Sequence, residues 1–324
     1  MKKLYLNGNY LVSYDDRCSG SRVYTALRRN EDLIPDFPDS IDLKITNKCN
    51  NNCAYCHENS NANGKSFNLE RTIAALSDLP KHTEVAIGGG NILECFDDFL
   101  KLCYHFSEKG IFPRVTINYR DLEKFLTLYQ KIDFRLIKNL AVGISIETYE
   151  EYLNSINLIR FSNINHFCTD FVFHIIVGIF PYNCLENIVN DTKSDIFNRF
   201  KILILGFKQF GRAKDMEIKD LDNWRGSLSK LFYNKRCKRF NHFSREETII
   251  GFDNLAVEQL NIKDLLLASE WNSYYMGQDF SHTMYVDAVN EEFAPTSRSP
   301  YNERCSWDSI SILDYFKKNR KSWS

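Results

Sequence analysis

The chain has 324 residues and a mass of 38.0 kDa, enough for one barrel-sized domain with a small appendage. Its hydrophobic content of 44% and net charge of −1 are ordinary for a soluble globular protein, and they exclude a general attraction to nucleic acid or anionic lipid. No stretch approaches 18 apolar residues and the start lacks a signal-peptide pattern, so we expect a cytoplasmic protein without a membrane partner. Its ten cysteines are therefore expected to be reduced thiols and metal ligands.

Residues 1–38 are predicted to form an N-terminal β-hairpin extension. Strand-like runs at 4–6 and 10–12 flank the turn sequence Asn7-Gly8-Asn9. We expect this hairpin to pack across one end of the domain that follows.

Residues 39–212 alternate between strand-like and helix-like segments. The predicted strands cover 41–45, 84–87, 114–118, 140–146, 171–177 and 201–205, and the predicted helices cover 69–78, 95–108, 120–130, 149–160 and 183–195. This alternation predicts an α/β fold with a parallel sheet that curves towards a barrel. In such folds the chemistry lies at the carboxyl ends of the strands.

Three cysteines follow the first predicted strand in a C-x3-C-x2-C spacing: Cys49, Cys53 and Cys56. Three thiolates are one fewer than a closed zinc site or an ordinary iron–sulfur cluster requires. A zinc ribbon is the main alternative, but no second Cys or His pair follows at a suitable spacing. The spacing, with Tyr55 just before the third cysteine, resembles the signature of the radical S-adenosylmethionine (SAM) superfamily.

The resemblance implies a (β/α)6 partial TIM barrel, in agreement with the six predicted strands. It also implies a [4Fe-4S] cluster on Cys49, Cys53 and Cys56, with one iron left open for the amino and carboxylate groups of SAM. In this superfamily an external electron donor, such as flavodoxin or ferredoxin, drives cleavage of SAM to a 5′-deoxyadenosyl radical. That radical removes a hydrogen atom from the substrate.

The segment Gly88-Gly89-Gly90-Asn91 follows the second strand and resembles the glycine motif that holds the SAM amino group. It departs from that motif because Gly90 stands where an acidic residue is usual. A tight turn is the alternative for the glycines, and a helix cap or turn is the alternative for the polar strand-end residues. The resemblance assigns SAM contacts to Tyr55, Gly88, Gly89, Gly90, Asn91, Asn118, Ser145, Glu147, Val177 and Gly178.

Four charged or ionisable residues are candidates for catalysis or substrate contact. Lys208 and Arg212 follow the sixth strand four residues apart, where they could hold a carboxylate or phosphate of the substrate or of SAM. The alternative is that Lys208 and Arg212 are solvated charges on a loop. His57 and Glu58 follow the third cysteine and could tune the cluster through hydrogen bonds, or simply stabilise the loop.

Residues 213–324 do not continue the alternation and are predicted to form a small α+β cap. The pattern predicts a strand at 248–254, a helix at 255–267, a hairpin at 283–289 and 292–294, and a helix at 308–319. This order resembles the twitch or SPASM appendages of peptide-modifying radical SAM enzymes. Those appendages carry several cysteines for an auxiliary cluster, whereas this region has only Cys237 and Cys305, so we expect none here.

The favoured function is therefore post-translational modification of a ribosomally made peptide. No leader-peptide-binding segment is recognisable, which would leave leader recognition to a separate partner protein. A small molecule or nucleotide is the alternative substrate, motivated by Lys208 and Arg212. A non-catalytic iron–sulfur sensor stays open because of the altered glycine motif.

Overall fold

The computed structural model describes residues 2–15, 22–28, 31–132, 140–162, 170–194, 200–239, 250–275 and 277–322. The strands are β1 (Lys2–Asn7), β2 (Tyr10–Asp15), β3 (Arg22–Ala26), β4 (Ser40–Thr46), β5 (Glu84–Gly89), β6 (Phe112–Asn118), β7 (Ala141–Ser145), β8 (Asp170–Ile176), β9 (Phe200–Leu205), β10 (Ile250–Phe252), β11 (Thr283–Asp287), β12 (Glu292–Ala294) and β13 (Cys305–Ser306). The helices are α1 (Leu69–Ala75), α2 (Phe96–Lys109), α3 (Leu122–Tyr129), α4 (Tyr149–Phe161), α5 (Leu185–Ser194), α6 (Leu221–Arg239), α7 (Asn254–Gln259), α8 (Ile262–Leu265), α9 (Ala268–Tyr274) and α10 (Ile312–Asn319).

A ten-stranded, mostly parallel sheet forms the centre of the molecule, in the order β10-β9-β8-β7-β6-β5-β4-β11-β12-β13. The six predicted barrel strands correspond to β4 through β9, and they alternate with helices as the sequence predicts. Two further strands extend the parallel part, because β10 pairs with β9 and β11 pairs with β4. Residues after 212 therefore supply strands to the barrel sheet as well as covering it.

The sheet has one face packed in the apolar core and one face directed to the barrel interior. In β4 the outer positions Ile41, Leu43 and Ile45 are buried, whereas Asp42 and Lys44 occupy the alternate positions. Alternation of this kind is expected because successive side chains of a strand point to opposite faces. The inner face of the barrel thus carries charged groups.

The sheet curls so that its sixth strand approaches its first. A methyl group at Gly211, which follows β9, would lie 2.5 Å from the carbonyl oxygen of His57, which follows β4. The amide of Arg212 donates to the carbonyl oxygen of Cys56 at 3.0 Å. Contacts between strands five places apart in the sheet require strong curvature, so the mixed α/β fold is consistent with a partial barrel.

The N-terminal strands close the amino end of this barrel. The expected pairing of β1 with β2 is present, and β3 adds a third antiparallel strand. Arg22 of β3 forms an ion pair with Glu84 at 3.2 Å, and Tyr5 donates to Asp39 at 2.8 Å. Asp39 and Glu84 stand at the start of β4 and β5, opposite the ends that carry the cysteines and glycines.

The C-terminal region differs from its prediction in its helices. The single helix expected at 255–267 is divided into α7 and α8, because Asn261 between them adopts a left-handed conformation with φ of 46°. Helices α6 and α9 were not predicted, whereas the hairpin of β11 and β12 is confirmed. Cys305 lies half-buried in β13, and the side chain of Cys237 lies outside the described residues. Across the described ranges, every helix is too short or too polar to span a membrane.

Candidate functional site

The loop that carries the three cysteines begins directly after β4 and is closed by main-chain hydrogen bonds. The amide of Asn47 donates to the carbonyl of Lys65 at 2.8 Å, and the amide of Cys49 donates to the carbonyl of Asn61 at 2.9 Å. All three cysteines are half-buried free thiols. The predicted ligands therefore stand at the carboxyl end of a parallel strand, where barrels of this kind place their chemistry.

Arg212 holds this loop from the far side of the barrel. Its guanidinium donates from Nε to the carbonyl oxygen of Cys53 at 2.9 Å and from Nη1 to that of Ser60 at 2.7 Å. Its main-chain amide donates to Cys56. The structure thus places Arg212 on the cysteine loop, and the contact with substrate or SAM that the sequence suggested stays a prediction.

The thiols are shielded from water and interact with one another. Burial raises the pKa of Cys49, and the charge of Cys56 adds to that shift. Burial also raises the pKa of Cys53. Among the described residues, no three His, Cys, Asp or Glu side chains surround a point that could hold a single metal ion. A [4Fe-4S] cluster needs no such point, because each cysteine binds a different iron, so the donor set fits an iron–sulfur cluster.

The glycine segment packs against the start of the cysteine loop. A methyl group at Gly89 would lie 2.4 Å from the carbonyl oxygen of Thr46, and one at Gly90 would lie 2.3 Å from that of Lys48. The Cβ position of Gly88, in contrast, meets nothing within 4 Å. Two glycines therefore permit close packing on the loop, and Gly88 leaves open space that a ligand such as SAM could fill.

Two asparagines at the strand ends act as local caps. Asn91 Oδ1 accepts a hydrogen bond from the amide of Leu93 at 3.0 Å, and Asn118 Oδ1 accepts one from the amide of Arg120 at 3.0 Å. Ser145 pairs with Asn118 in the sheet and is half-buried. The capping role that the sequence left open for Asn118 is present, and SAM contacts of these residues stay predictions.

Glu147 joins the cysteine loop to the end of β6. Its Oε1 accepts a hydrogen bond from the hydroxyl of Tyr55 at 2.9 Å and one from Nη2 of Arg120 at 3.2 Å. Arg120 also donates to the carbonyl oxygen of Asn51 at 3.0 Å. Burial raises the pKa of Tyr55, so its hydroxyl is a donor at neutral pH. Two residues that the sequence assigned to SAM are thus hydrogen-bonded to each other.

The residues singled out near the end of β8 lie in different surroundings. Val177 is fully buried, and Gly178 turns the chain with φ of 79°. His174 faces the interior, where its ring covers Gly143 so closely that a methyl group there would lie 2.4 Å from Cε1. Burial lowers the pKa of His174 to about 4, so the imidazole is neutral at pH 7.

Glu58 fastens the cysteine loop to two strands. Lys44 Nζ lies 2.8 Å from Glu58 Oε2 and 3.0 Å from Asp287 Oδ2, and Tyr285 donates to Glu58 Oε1 at 3.3 Å. Burial disfavours the charged carboxylate, but the Lys44 ammonium holds the pKa of Glu58 below its ordinary value. The structure therefore supports the loop-stabilising alternative for Glu58, and a role in tuning a cluster stays a prediction.

Lys208 brings a positive charge into the barrel near His57. Its Nζ donates to Ser297 Oγ at 2.9 Å. Burial lowers the pKa of His57 to about 4, and the Lys208 ammonium contributes to the shift. His57 is therefore neutral at pH 7. Substrate contact by Lys208 stays a prediction.

Sequence reasoning missed several residues around the site, namely Asp42, Lys44, Arg120 and Tyr285. The alternation of apolar and charged residues in β4 was a usable signal for Asp42 and Lys44, because a charge on a central barrel strand must face the interior. Tyr285 gave no such signal, since its partner Glu58 lies 227 residues away in the sequence.

The three-cysteine loop stands at the end of β4, beside the open space at Gly88, which is the arrangement that the sequence resemblance implies. Solved structures are similar to this chain in fold. Streptococcus suis SuiB bound to S-adenosylmethionine is similar over 88% of this chain and 66% of its own, with 15% identity and a TM-score of 0.63. Native anSMEcpe with bound AdoMet and Cp18Cys peptide is similar over 86% of this chain and 81% of its own, with 13% identity and a TM-score of 0.56.

At these identities the likeness establishes the fold alone. SuiB and anSMEcpe are both radical SAM enzymes. SuiB bound to precursor peptide SuiA is similar as well, with a TM-score of 0.58. The chain spans just under two thirds of SuiB, at 65–66%. No family model matches the chain, and no curated protein matches it in sequence.

Proposed function

We propose that this chain is a radical SAM enzyme that modifies a ribosomally made peptide. Cys49, Cys53 and Cys56 would hold a [4Fe-4S] cluster, and the space at Gly88 would take part of SAM. A reduced cluster held by these residues would supply the electron for cleavage of SAM, and with it the radical chemistry that removes a hydrogen atom from the substrate.

The anchored cysteine loop is the observation that carries this proposal. Arg212 binds two carbonyl oxygens of the loop through its side chain and a third through its amide, and Glu58 ties the same loop to Lys44. Attachment from both sides of the barrel favours a loop that positions a cofactor, because small displacements of reacting groups are costly.

The chain's own residues would bind, orient and shield the reactants. The charged interior of the barrel provides Lys208 for substrate contact, while β10 and β11 extend the wall that separates the site from water. His57 and His174 are neutral at pH 7 and could accept or donate a hydrogen bond without adding charge. The three thiols are the only residues that we assign to the metal.

A peptide substrate is favoured by two structural neighbours. One SuiB structure contains the precursor peptide SuiA, and one anSMEcpe structure contains the Cp18Cys peptide. The nucleotide alternative relied on two cations at the end of β9. Since Arg212 is engaged by the cysteine loop, only Lys208 supports that alternative.

The first experiment is anaerobic reconstitution with iron and sulfide, followed by reduction in the presence of SAM. We expect release of 5′-deoxyadenosine, measured by chromatography, and loss of both iron and product in Cys53→Ala. Half-buried Cys184 is a matched control, because Cys184→Ala removes a thiol that lies outside the cysteine loop, just before α5. A reconstituted protein that holds zinc, or whose iron centre persists in Cys53→Ala, would contradict the proposal.

The substrate class is tested with peptides and nucleotides in the same assay. Mass changes in a peptide, coupled to deoxyadenosine release, are expected. Changes in free nucleotides alone would favour the small-molecule alternative. A stable cluster that binds SAM weakly and releases no deoxyadenosine on reduction would favour the sensor alternative.

A further inference from the structure

Asp42 occupies an unusual position on the central strand of the barrel. It is the one residue of β4 whose side chain is exposed, although its neighbours Ile41 and Leu43 are buried. β5 and β11 flank it on both sides, with Ala86 and Tyr285 as its partners in register. A side chain on the inner face of a central strand can be accessible only if the barrel interior contains space at that level.

The space around Asp42 is enclosed by other charged residues. Removal of surrounding water raises the pKa of Asp42, Lys208 opposes that shift, and Asp253 and Asp279 add to it. Lys208 follows β9, Asp253 follows β10 and Asp279 precedes β11, so charged groups from three other segments of the chain act on Asp42. The side chain is therefore accessible to the barrel interior while protein replaces most of its surrounding water.

The side chain of Asp42 differs from the nearby carboxylates in having no hydrogen-bond or ion-pair partner among the described residues. Asp253 accepts hydrogen bonds from the amides of Gly206 and Ala256 at 2.8 and 2.7 Å. Asp279 accepts one from Arg298 at 2.8 Å. No hydrogen bond or ion pair joins the side chain of Asp42 to any residue that the structure describes.

An accessible carboxylate that no protein group contacts keeps hydrogen bonds only to the water that reaches it, and the surrounding protein makes its charged form less favourable than in bulk water. A cation that enters and pairs with the carboxylate supplies charge-assisted hydrogen bonds that the protein does not provide. Asp42 is thus prepared for a positively charged ligand.

The depth of Asp42 limits what can reach it. It lies four residues before Thr46 at the end of β4, which is about 13 Å along the strand. It is also about 7 Å along the strand from the level of Lys44 and Gly88, which pair in the sheet. Lysine and arginine carry their charge on long apolar stems, so they can reach this depth past the ring of Tyr285.

We infer that Asp42 binds the ammonium or guanidinium group of a lysine or arginine side chain of the peptide substrate. This inference rests on the proposed function and names the substrate class of the same site. Asp42 is then a specificity-determining residue, since a neutral or acidic side chain would leave it unpaired. Lys208, at the mouth of the same interior, would repel a second cation and restrict entry to one.

The first test measures binding of small probes to the reconstituted protein, with n-butylguanidine and n-butylamine compared with n-butanol. Ligand-observed NMR should show at least tenfold tighter binding of the cationic probes to the wild type. Asp42→Asn should lose at least tenfold of that preference, and Asp42→Glu should retain part of it. Asp78→Asn removes an exposed carboxylate elsewhere and should bind the probes as the wild type does.

A second measurement separates a binding role from a structural one. Asp42→Asn keeps the shape of the side chain and removes its unpaired charge, so its melting temperature should equal or exceed that of the wild type. A lower melting temperature together with unchanged probe preference would overturn the inference. Absence of any cation preference in the wild type would overturn it as well.

Turnover distinguishes this inference from the proposed function. Synthetic peptides with a single Lys, Arg, Gln or Glu should differ in deoxyadenosine release, and the preference for Lys and Arg should fall at least tenfold in Asp42→Asn. Release without a Lys or Arg preference would overturn the role of Asp42 and leave the enzyme proposal intact. Cation-probe binding that depends on Asp42, without release from any peptide, would support the pocket and contradict the enzyme proposal.

Discussion

Replacement of Arg212 by alanine should loosen the cysteine loop and weaken cluster retention. The change removes two hydrogen bonds from a charged donor to the carbonyl oxygens of Cys53 and Ser60, at 2.9 and 2.7 Å. Such bonds contribute roughly 1.5–3 kcal/mol each. Arg212 is half-buried, so we use the lower figure and expect a loss of about 3 kcal/mol in loop anchoring, or about a hundredfold in an equilibrium constant.

The assay is the rate at which a reconstituted cluster loses iron to a ferrous-ion chelator, followed by visible absorbance. We expect Arg212→Ala to lose iron much faster than the wild type, and Arg212→Lys to be intermediate because it keeps the charge without the planar fork. Lys214→Ala is the matched control. Its side chain is 71% exposed and lies two residues away, so it should behave as the wild type.

One result would refute this reasoning. If Arg212→Ala holds its cluster as firmly as the wild type but no longer binds SAM or substrate, then Arg212 acts on the ligand, as the sequence suggested. Its hydrogen bonds to the loop would then be incidental to function.

Three further predictions concern the glycine segment, the closed end of the barrel and the loop attachment. Gly88→Ala should leave the free energy of unfolding unchanged, because its methyl group enters open space, and it should weaken SAM binding measured by calorimetry. Gly90→Ala should lower the free energy of unfolding by about 1–3 kcal/mol, because its methyl group would lie 2.3 Å from the carbonyl oxygen of Lys48. Burial opposes the charge of Glu84, but two arginines lower its pKa from 4.5 to about 2, so it contributes about 3 kcal/mol above pH 4.5 that is lost as the pH falls towards 2. Denaturant titrations over that range should show this loss in the wild type and not in Glu84→Gln. Glu58→Gln should lower the free energy of unfolding by about 2 kcal/mol, because Lys44 keeps only one of its two carboxylate partners; an unchanged denaturation midpoint would contradict this attachment.

The fold could be predicted where its signals are local. The strands β4 through β9 and the hairpin of β11 and β12 follow from apolar runs and turn residues that lie close together in the sequence. The pairing of β10 with β9 and of β11 with β4 could not be predicted, since it depends on how far the sheet curls. The same curvature decides that the N-terminal strands close the amino end.

The candidate site shows the same division. Cys49, Cys53 and Cys56 could be proposed as ligands from the sequence, because a metal-ligand motif is a spacing within a few residues. The sequence could not predict whether Arg212 contacts a ligand or the cysteine loop. That contact depends on the carbonyl oxygen of Cys53, which lies 159 residues away in the sequence. Asp42 likewise resembles any strand aspartate until the residues across the barrel are known.

The sequence by itself determined which residues can hold a cofactor and that strands and helices alternate around them. Only the tertiary structure decided which charged groups are paired and which remain without a partner. The physical reason is that spacing and periodicity are properties of neighbouring residues, whereas the free energy of an enclosed charge depends on groups brought from distant parts of the chain.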